Sequence, residues 1–227
     1  MAKKITIWHV CFGSLFLLLI SNTASAHALD YDLSQLSRTD IAFLYLKLGF
    51  THIIPLGFDH ILFVLGLYLL SPKLKTVLWQ ATAFTLAHSI TLGLGMYGLI
   101  SPPPSIVEPI IALSILFVAF ENLITDKLHK FRLFIVFAFG LIHGMGFASA
   151  LKDLGLPPRA FFSSLITFNL GVELGQITII LLAYFLVGKW FGDKQWYRQR
   201  IVIPASILIG LIACYWTYER IFLTTGQ

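Results

Sequence analysis

Five ionisable side chains lie near the middle of long apolar runs: Asp59, His60, His88, His143 and Glu173. An ionisable group at bilayer depth costs about 3 kcal/mol or more unless it faces a partner or a polar cavity, so such a group indicates a functional site. Imidazoles and carboxylates together are a ligand set for divalent first-row transition metals. The sequence therefore predicts a metal site to which four helices contribute these five residues.

Other polar residues in the same runs predict a supporting set around this site. Asn169 and Gln176 flank Glu173 at helical spacing, so all three are expected on one stripe that faces the protein interior. His52 precedes Asp59 by seven positions and shares its face if the helix is continuous, which Pro55 and Gly57 leave open. The full supporting set is His52, Ser89, Asn169, Gln176 and Glu108, the last expected near the outer mouth.

The composition places these residues in a membrane protein. Hydrophobic residues make up 57% of the 227 positions and charged residues only 12%, a balance typical of a polytopic helical bundle. Residues 1–26 resemble a signal peptide, with Lys3 and Lys4 before an apolar stretch and Ala24-Ser25-Ala26 at the expected cut. An uncleaved first helix is the alternative. Residues 27–227 are predicted to form one all-α domain with six spans, at about 42–70, 76–100, 105–125, 131–152, 161–188 and 201–224.

Cleavage after Ala26 would give His27 both an α-amine and an imidazole. Such a residue is a possible outer capture group for a divalent metal, although an ordinary flexible terminus is the simpler interpretation.

The basic residues predict the orientation of the bundle. With the mature N-terminus outside, the inner loops hold nine Lys or Arg residues and the outer segments hold five, which agrees with the positive-inside rule. Both ends of the mature chain are then expected on the outer side of a bacterial inner membrane. No basic patch interleaved with aromatic residues is present, so no nucleic-acid partner is expected. The expected partners are the lipid bilayer and a metal cation, and the oligomeric state stays open.

Five sequence blocks form a recognisable set: GFDHILF at 57–63, AHSITL at 87–92, VE at 107–108, HGMGFA at 143–148 and FNLGVELGQ at 168–176. Together they resemble the HupE/UreJ family of membrane proteins, in particular its HupE/UreJ_2 branch. Their order along residues 49–182 is more specific than any one block. The family is associated with hydrogenase and urease accessory functions, which implies uptake of nickel, with cobalt as a related substrate.

Two classes of function stay open at this stage. As a transporter, the protein would hold a divalent cation at mid-membrane and open alternately to either side. As an enzyme, the histidines would hold a catalytic zinc for the hydrolysis of a lipid or peptide bond, with Asp59, Ser89 or Glu173 handling protons or the oxyanion. An accessory scaffold without a site is a third interpretation. The ligand set alone does not choose between nickel, cobalt and zinc.

Overall fold

The computed structural model describes residues 36–153 and 160–223, and all regular structure within these ranges is helical. The predicted all-α fold is therefore confirmed for this part of the chain. The predicted signal peptide and His27 lie outside the described residues, so both stay predictions.

Seven main helices follow one another along the described residues. They are α1 (Arg38–Ile53), α2 (Phe58–Leu70), α3 (Leu74–Met96), α4 (Pro104–Ile124), α5 (Arg132–Asp153), α6 (Phe161–Ala183) and α7 (Ile203–Tyr218). Helix α6 continues through a π-helical turn, Tyr184–Gly188, and a short α-helical turn, Lys189–Phe191. Helix α7 is preceded by the π-helical turn Arg198–Val202 and followed by Glu219–Leu223.

The predicted first span, 42–70, is two helices rather than one. Helices α1 and α2 are bent by 66° relative to each other, and the peptide bond between Ile54 and Pro55 is cis. Proline has no backbone N–H to continue a helix and its ring clashes with the preceding turn, so the chain leaves α1 here. At Gly57, just before α2, a Cβ would lie 2.2 Å from the carbonyl oxygen of His52. Only glycine therefore fits in the turn between α1 and α2.

Close helix packing in the bundle depends on glycines that face neighbouring backbones. A Cβ on Gly49 of α1 would lie 1.9 Å from the carbonyl oxygen of Phe168 on α6, and one on Gly171 of α6 would lie 2.1 Å from that of Leu46. Gly140 and Gly144 of α5 approach the backbone of α3 in the same way. Small residues at such positions bring helix backbones together in membrane bundles. The α1–α6 and α3–α5 pairs are accordingly the most extensive contacts of the described bundle.

Large apolar side chains cover the outside of the bundle, as expected for helices that face lipid. Phe43, Phe131, Phe134 and Phe162 are each at least 70% exposed. By length and apolar composition, three described helical stretches qualify as membrane spans: Pro104–Ile124, Phe161–Phe191 and Arg198–Leu223. The bent pair α1 and α2 makes a fourth if it counts as one broken span. The protein is thus a multi-pass membrane protein, and the count of six spans stays a prediction.

Candidate metal centre

Three buried or partly buried histidines meet where the first span is broken. His52 is in the last turn of α1, His60 is in the first turn of α2, and His88 is in the middle of α3. One ring nitrogen from each of them lies within 4.8 Å of the other two. The Nε2 atoms of all three are buried without a hydrogen-bond partner. We refer to His52, His60 and His88 as the three-histidine site.

The helix break is what brings the first two of these histidines together. Eight positions along a continuous helix would separate His52 and His60 by about 12 Å. In the structure their ring centroids are 4.8 Å apart. The centroids of His60 and His88 are 5.9 Å apart, and those of His52 and His88 are 6.1 Å apart. The bend thus converts two residues in successive helical segments into neighbours within one site.

A hydrogen bond to Asn169 fixes which nitrogen of His88 has the free lone pair. The side-chain amide of Asn169 donates to the carbonyl oxygen of Leu165 at 2.8 Å, so its Oδ1 faces His88 Nδ1 at 3.3 Å. Because Oδ1 can only accept, Nδ1 carries the proton and donates. The lone pair of His88 is then on Nε2, which is buried without a hydrogen-bond partner. A metal-ligating histidine usually has its second nitrogen anchored in this manner.

His143 lies next to the three-histidine site but is held by a different residue. Its ring centroid is 5.1 Å from that of His60. Its Nε2 contacts Ser114 Oγ at 2.9 Å, and this hydroxyl also donates to the carbonyl oxygen of Ile111 at 2.7 Å. Since the serine has one proton, Nε2 of His143 must donate to it, and the lone pair is on Nδ1, which is buried without a partner.

Aromatic rings enclose the histidines on the remaining sides. The ring of Phe147 lies 3.8 Å from that of His52, and Phe84 lies between 5.0 and 6.2 Å from the rings of His60, His88 and His143. These apolar rings surround imidazoles whose unpartnered nitrogens are buried. Such an enclosure strengthens the electrostatic interaction between a ligand atom and a cation.

Asp59, expected among the metal ligands, pairs with an arginine and is not part of the three-histidine site. Both of its carboxylate oxygens accept from Arg220 Nη2 at 3.0 Å. Arg220 also donates from Nη1 to the backbone carbonyl of Glu108 at 3.1 Å. The pair is partly exposed and connects the start of α2 to the π-helical turn after α7 and to the first turns of α4. Consecutive residues in a helix point about 100° apart, which explains why Asp59 and His60 face different neighbours.

The polar stripe of α6 faces α3, and only its first member contacts a histidine of the site. Glu173 Oε1 accepts from Thr82 Oγ1 at 2.6 Å, and Gln176 lies 3.3 Å from Thr85 Oγ1. Ser89, the neighbour of His88, donates to the carbonyl oxygen of Thr85 at 2.6 Å within its own helix. The structure therefore separates the predicted residues into a histidine group, the Asp59–Arg220 ion pair and a second polar group.

Sequence reasoning missed three contacts at this centre. Arg220 as the partner of Asp59, Ser114 as the partner of His143 and Thr82 as the partner of Glu173 were not expected. Each joins residues between 29 and 161 positions apart in the chain. An arginine near the end of an apolar helix and a serine in the middle of a span are the sequence signals that could have indicated the first two. Nothing in the spacing of Thr82 distinguishes it from an ordinary polar residue in a helix.

Comparison with known families gives one match. A family model described as HupE / UreJ protein matches residues 29–220. The curated proteins and the solved structures give no match. The matched region covers most of the chain and includes the three-histidine site, His143, Asp59 and Glu173, so the chain belongs to the HupE/UreJ family.

Proposed function

We propose that the protein carries a divalent transition-metal cation, nickel or cobalt, across a bacterial inner membrane through the three-histidine site. The observation that carries this proposal is the set of three imidazole nitrogens within 4.8 Å of one another, contributed by three helices. Bonds from such a metal to imidazole nitrogen are about 2.0–2.1 Å, so ligand nitrogens around it stand roughly 3–3.4 Å apart. Side-chain movements of about 1 Å would close the site on a cation.

The ligand chemistry supports a cation of this class. Neutral imidazole suits nickel, cobalt, zinc and copper, whereas magnesium and calcium prefer oxygen ligands. The free cysteine among the described residues, Cys214, is exposed on α7, so no thiolate contributes. Membership of the HupE/UreJ family, associated with hydrogenase and urease, favours nickel or cobalt within this set.

The hydrogen bonds of the hydroxyl groups around the site favour transport over hydrolysis. A zinc hydrolase would need a general base or a nucleophile directed at a substrate next to the metal. Ser89 and Ser114 instead donate to backbone carbonyls within their own helices, and Asp59 pairs with Arg220. A divalent cation moving inward gains about 4.6 kcal/mol per 100 mV of membrane potential, so uptake needs no ATPase domain.

The residues outside the three-histidine site have separate roles in this proposal. His143 is a neighbouring imidazole that can receive the cation, because its Nδ1 lone pair is buried and unpartnered. Glu108 lies in the first turns of α4, beside the Asp59–Arg220 pair, where it would attract cations to the outer mouth. His27 would act as an outer capture group if cleavage follows Ala26.

Flux and metal content of the purified protein test the proposal together. Wild-type protein in liposomes should accumulate Co²⁺ in response to an inside-negative potential, and His88→Ala should abolish this flux and bring bound metal to background. His129→Ala, which changes an exposed loop histidine, is the matched control and should transport normally. Stoichiometric bound metal in the wild type without any flux would contradict transport and favour an enzyme.

A further inference from the structure

A second polar group lies between α3 and α6, away from the three-histidine site. It consists of Thr82 and Thr85 on α3 and Glu173 and Gln176 on α6. Thr82 precedes His88 by six residues, which corresponds to about 9 Å along the helix axis. The displacement is toward the end of α3 that carries Lys73 and Lys75, the end predicted to face the cytoplasm. The two groups are therefore arranged one behind the other along the bundle.

Glu173 has no cationic partner among the described residues. The two ion pairs found there join Arg132 to Glu121 and Arg220 to Asp59. Thr82 donates to one oxygen of Glu173, and the other oxygen, Oε2, is buried without any hydrogen bond. A carboxylate at this depth is costly unless a positive charge or a proton compensates it. The described residues supply no positive charge to this carboxylate, so a bound proton or a bound cation must compensate it.

The amide of Gln176 can add a second oxygen to the same group. Thr85 Oγ1 lies 3.1 Å from the carbonyl oxygen of Ala81 and 3.3 Å from Gln176 Oε1, but the hydroxyl has only one proton to donate. If that proton serves Ala81, a half-turn of the amide lets Nε2 donate to Thr85 Oγ1 and frees Oε1. The amide nitrogen is without a partner in its present orientation, so the half-turn satisfies a buried donor.

We propose that Glu173, Thr82 and Gln176 form a second, oxygen-lined station for the divalent cation, which it occupies after leaving the imidazoles. This inference rests on the proposed function, because the three-histidine site must first bind the cation. Carboxylate, hydroxyl and amide oxygens hold a borderline cation such as Co²⁺ less firmly than three imidazoles do. A weaker site on the inner side of a stronger one lets the cation move on rather than remain bound, as conduction between adjacent sites requires.

Co²⁺ titration of the purified full-length protein tests the second station. Wild-type protein should bind two Co²⁺ per chain, one tightly and one weakly. Glu173→Gln removes the charge and should eliminate the weak site while the tight site keeps its affinity and its imidazole signature in X-ray absorption. Thr82→Val keeps the shape of the side chain but removes the hydroxyl, and should weaken the second site by about tenfold or more. Thr178→Val removes a hydroxyl of α6 that bonds only to its own helix, and should bind Co²⁺ as the wild type does.

The outcomes separate this inference from the proposed function. A single Co²⁺ per wild-type chain at millimolar metal, or two unchanged sites in both Glu173→Gln and Thr82→Val, would overturn the second station. Loss of all Co²⁺ in Glu173→Gln, with the protein still monodisperse, would place Glu173 in the first site and also overturn it. If Glu173→Gln fails to fold, Thr82→Val decides. Failure of the proposed function has a different signature, in which His88→Ala retains the tight site.

Discussion

At the scale of single residues, the orientation of His88 depends on an amide that touches no metal. Asn169 accepts the Nδ1 proton of His88 and thereby leaves the lone pair on Nε2, which is buried without a hydrogen-bond partner. Replacing Asn169 with alanine should lower Co²⁺ affinity by about 10- to 100-fold, the usual effect of losing such an anchoring hydrogen bond. Equilibrium titration of the purified variant measures this effect.

The matched control for this substitution is Ser163→Ala on the same helix, whose hydroxyl bonds only to the carbonyl oxygen of Ala160. Wild-type affinity in Asn169→Ala would mean that the packing around His88 orients the ring without the amide.

The residue types of the centre could be read from the sequence, but the division of roles could not. Ionisable groups in apolar runs stand out because the bilayer penalises them, which identified His60, His88, His143, Asp59 and Glu173. Whether a side chain ligates or pairs depends on the direction in which it leaves its helix. Asp59 and His60 are adjacent in sequence and yet meet Arg220 and His52 respectively, and no one-dimensional spacing reveals such a division.

At the scale of helices, the break between α1 and α2 is the element that forms the site. Its position at Pro55 and Gly57 was visible in the sequence, whereas its consequence depends on the 66° bend. Gly57→Ala should abolish Co²⁺ binding, because a Cβ there lies 2.2 Å from the carbonyl oxygen of His52 and displaces the last turn of α1. Co²⁺ titration measures the loss.

Gly210→Ala is the matched control for this substitution, since its Cβ would make an ordinary 3.6 Å contact with Ala119. It should bind Co²⁺ as the wild type does. Normal binding by Gly57→Ala would show that the histidines converge without this turn.

The Asp59–Arg220 pair offers a test of whether Asp59 ligates the metal. If Asp59 acts by fixing the start of α2 to the π-helical turn after α7, Asp59→Asn and Arg220→Gln should each lower Co²⁺ affinity to a similar extent. The double variant should then be no weaker than either single one, because both remove the same interaction. Titration of the three variants measures the coupling. Unchanged or higher affinity in Arg220→Gln together with a large loss in Asp59→Asn would instead identify Asp59 as a ligand.

At the scale of the whole molecule, a buried ion pair ties three helices together at the end opposite the Asp59–Arg220 pair. Arg132 at the start of α5 pairs with Glu121 near the end of α4 and donates from Nε to Gln80 of α3 at 3.0 Å. Removing one partner of a buried pair typically costs about 3–5 kcal/mol, since the remaining charge is uncompensated. Glu121→Ala should therefore lower the thermal unfolding temperature clearly in detergent, whereas Asp193→Ala, at an exposed position, should not. An equal unfolding temperature in both variants would show that lipid or water compensates the unpaired charge of Arg132.

Hydrophobic composition predicted the helical class correctly because a bilayer admits few other structures. The count of six spans stays a prediction. Among the described helices, α3 carries His88 of the three-histidine site and Thr82 of the proposed second station. Those polar residues lower the hydropathy of α3, and this weakens the sequence signal by which a membrane span is recognised. The described α3 is 23 residues long, enough to cross the hydrocarbon core.

The distribution of basic residues predicts the orientation of the whole bundle, and labelling of engineered cysteines tests it. Nine Lys or Arg residues in one set of loops against five in the other favour the loops before α5 and α7 on the inner side. In a variant without Cys11 and Cys214, an impermeant maleimide applied to intact cells should label Pro103→Cys, which lies before α4. Lys127→Cys and Lys194→Cys should react only after the cells are lysed, and all three positions are exposed in the structure.

Labelling of Lys127→Cys and Lys194→Cys in intact cells, with Pro103→Cys protected, would show that the bundle has the opposite orientation. The second station would then lie on the outer side of the histidines, and the cation would move through the protein toward the outside.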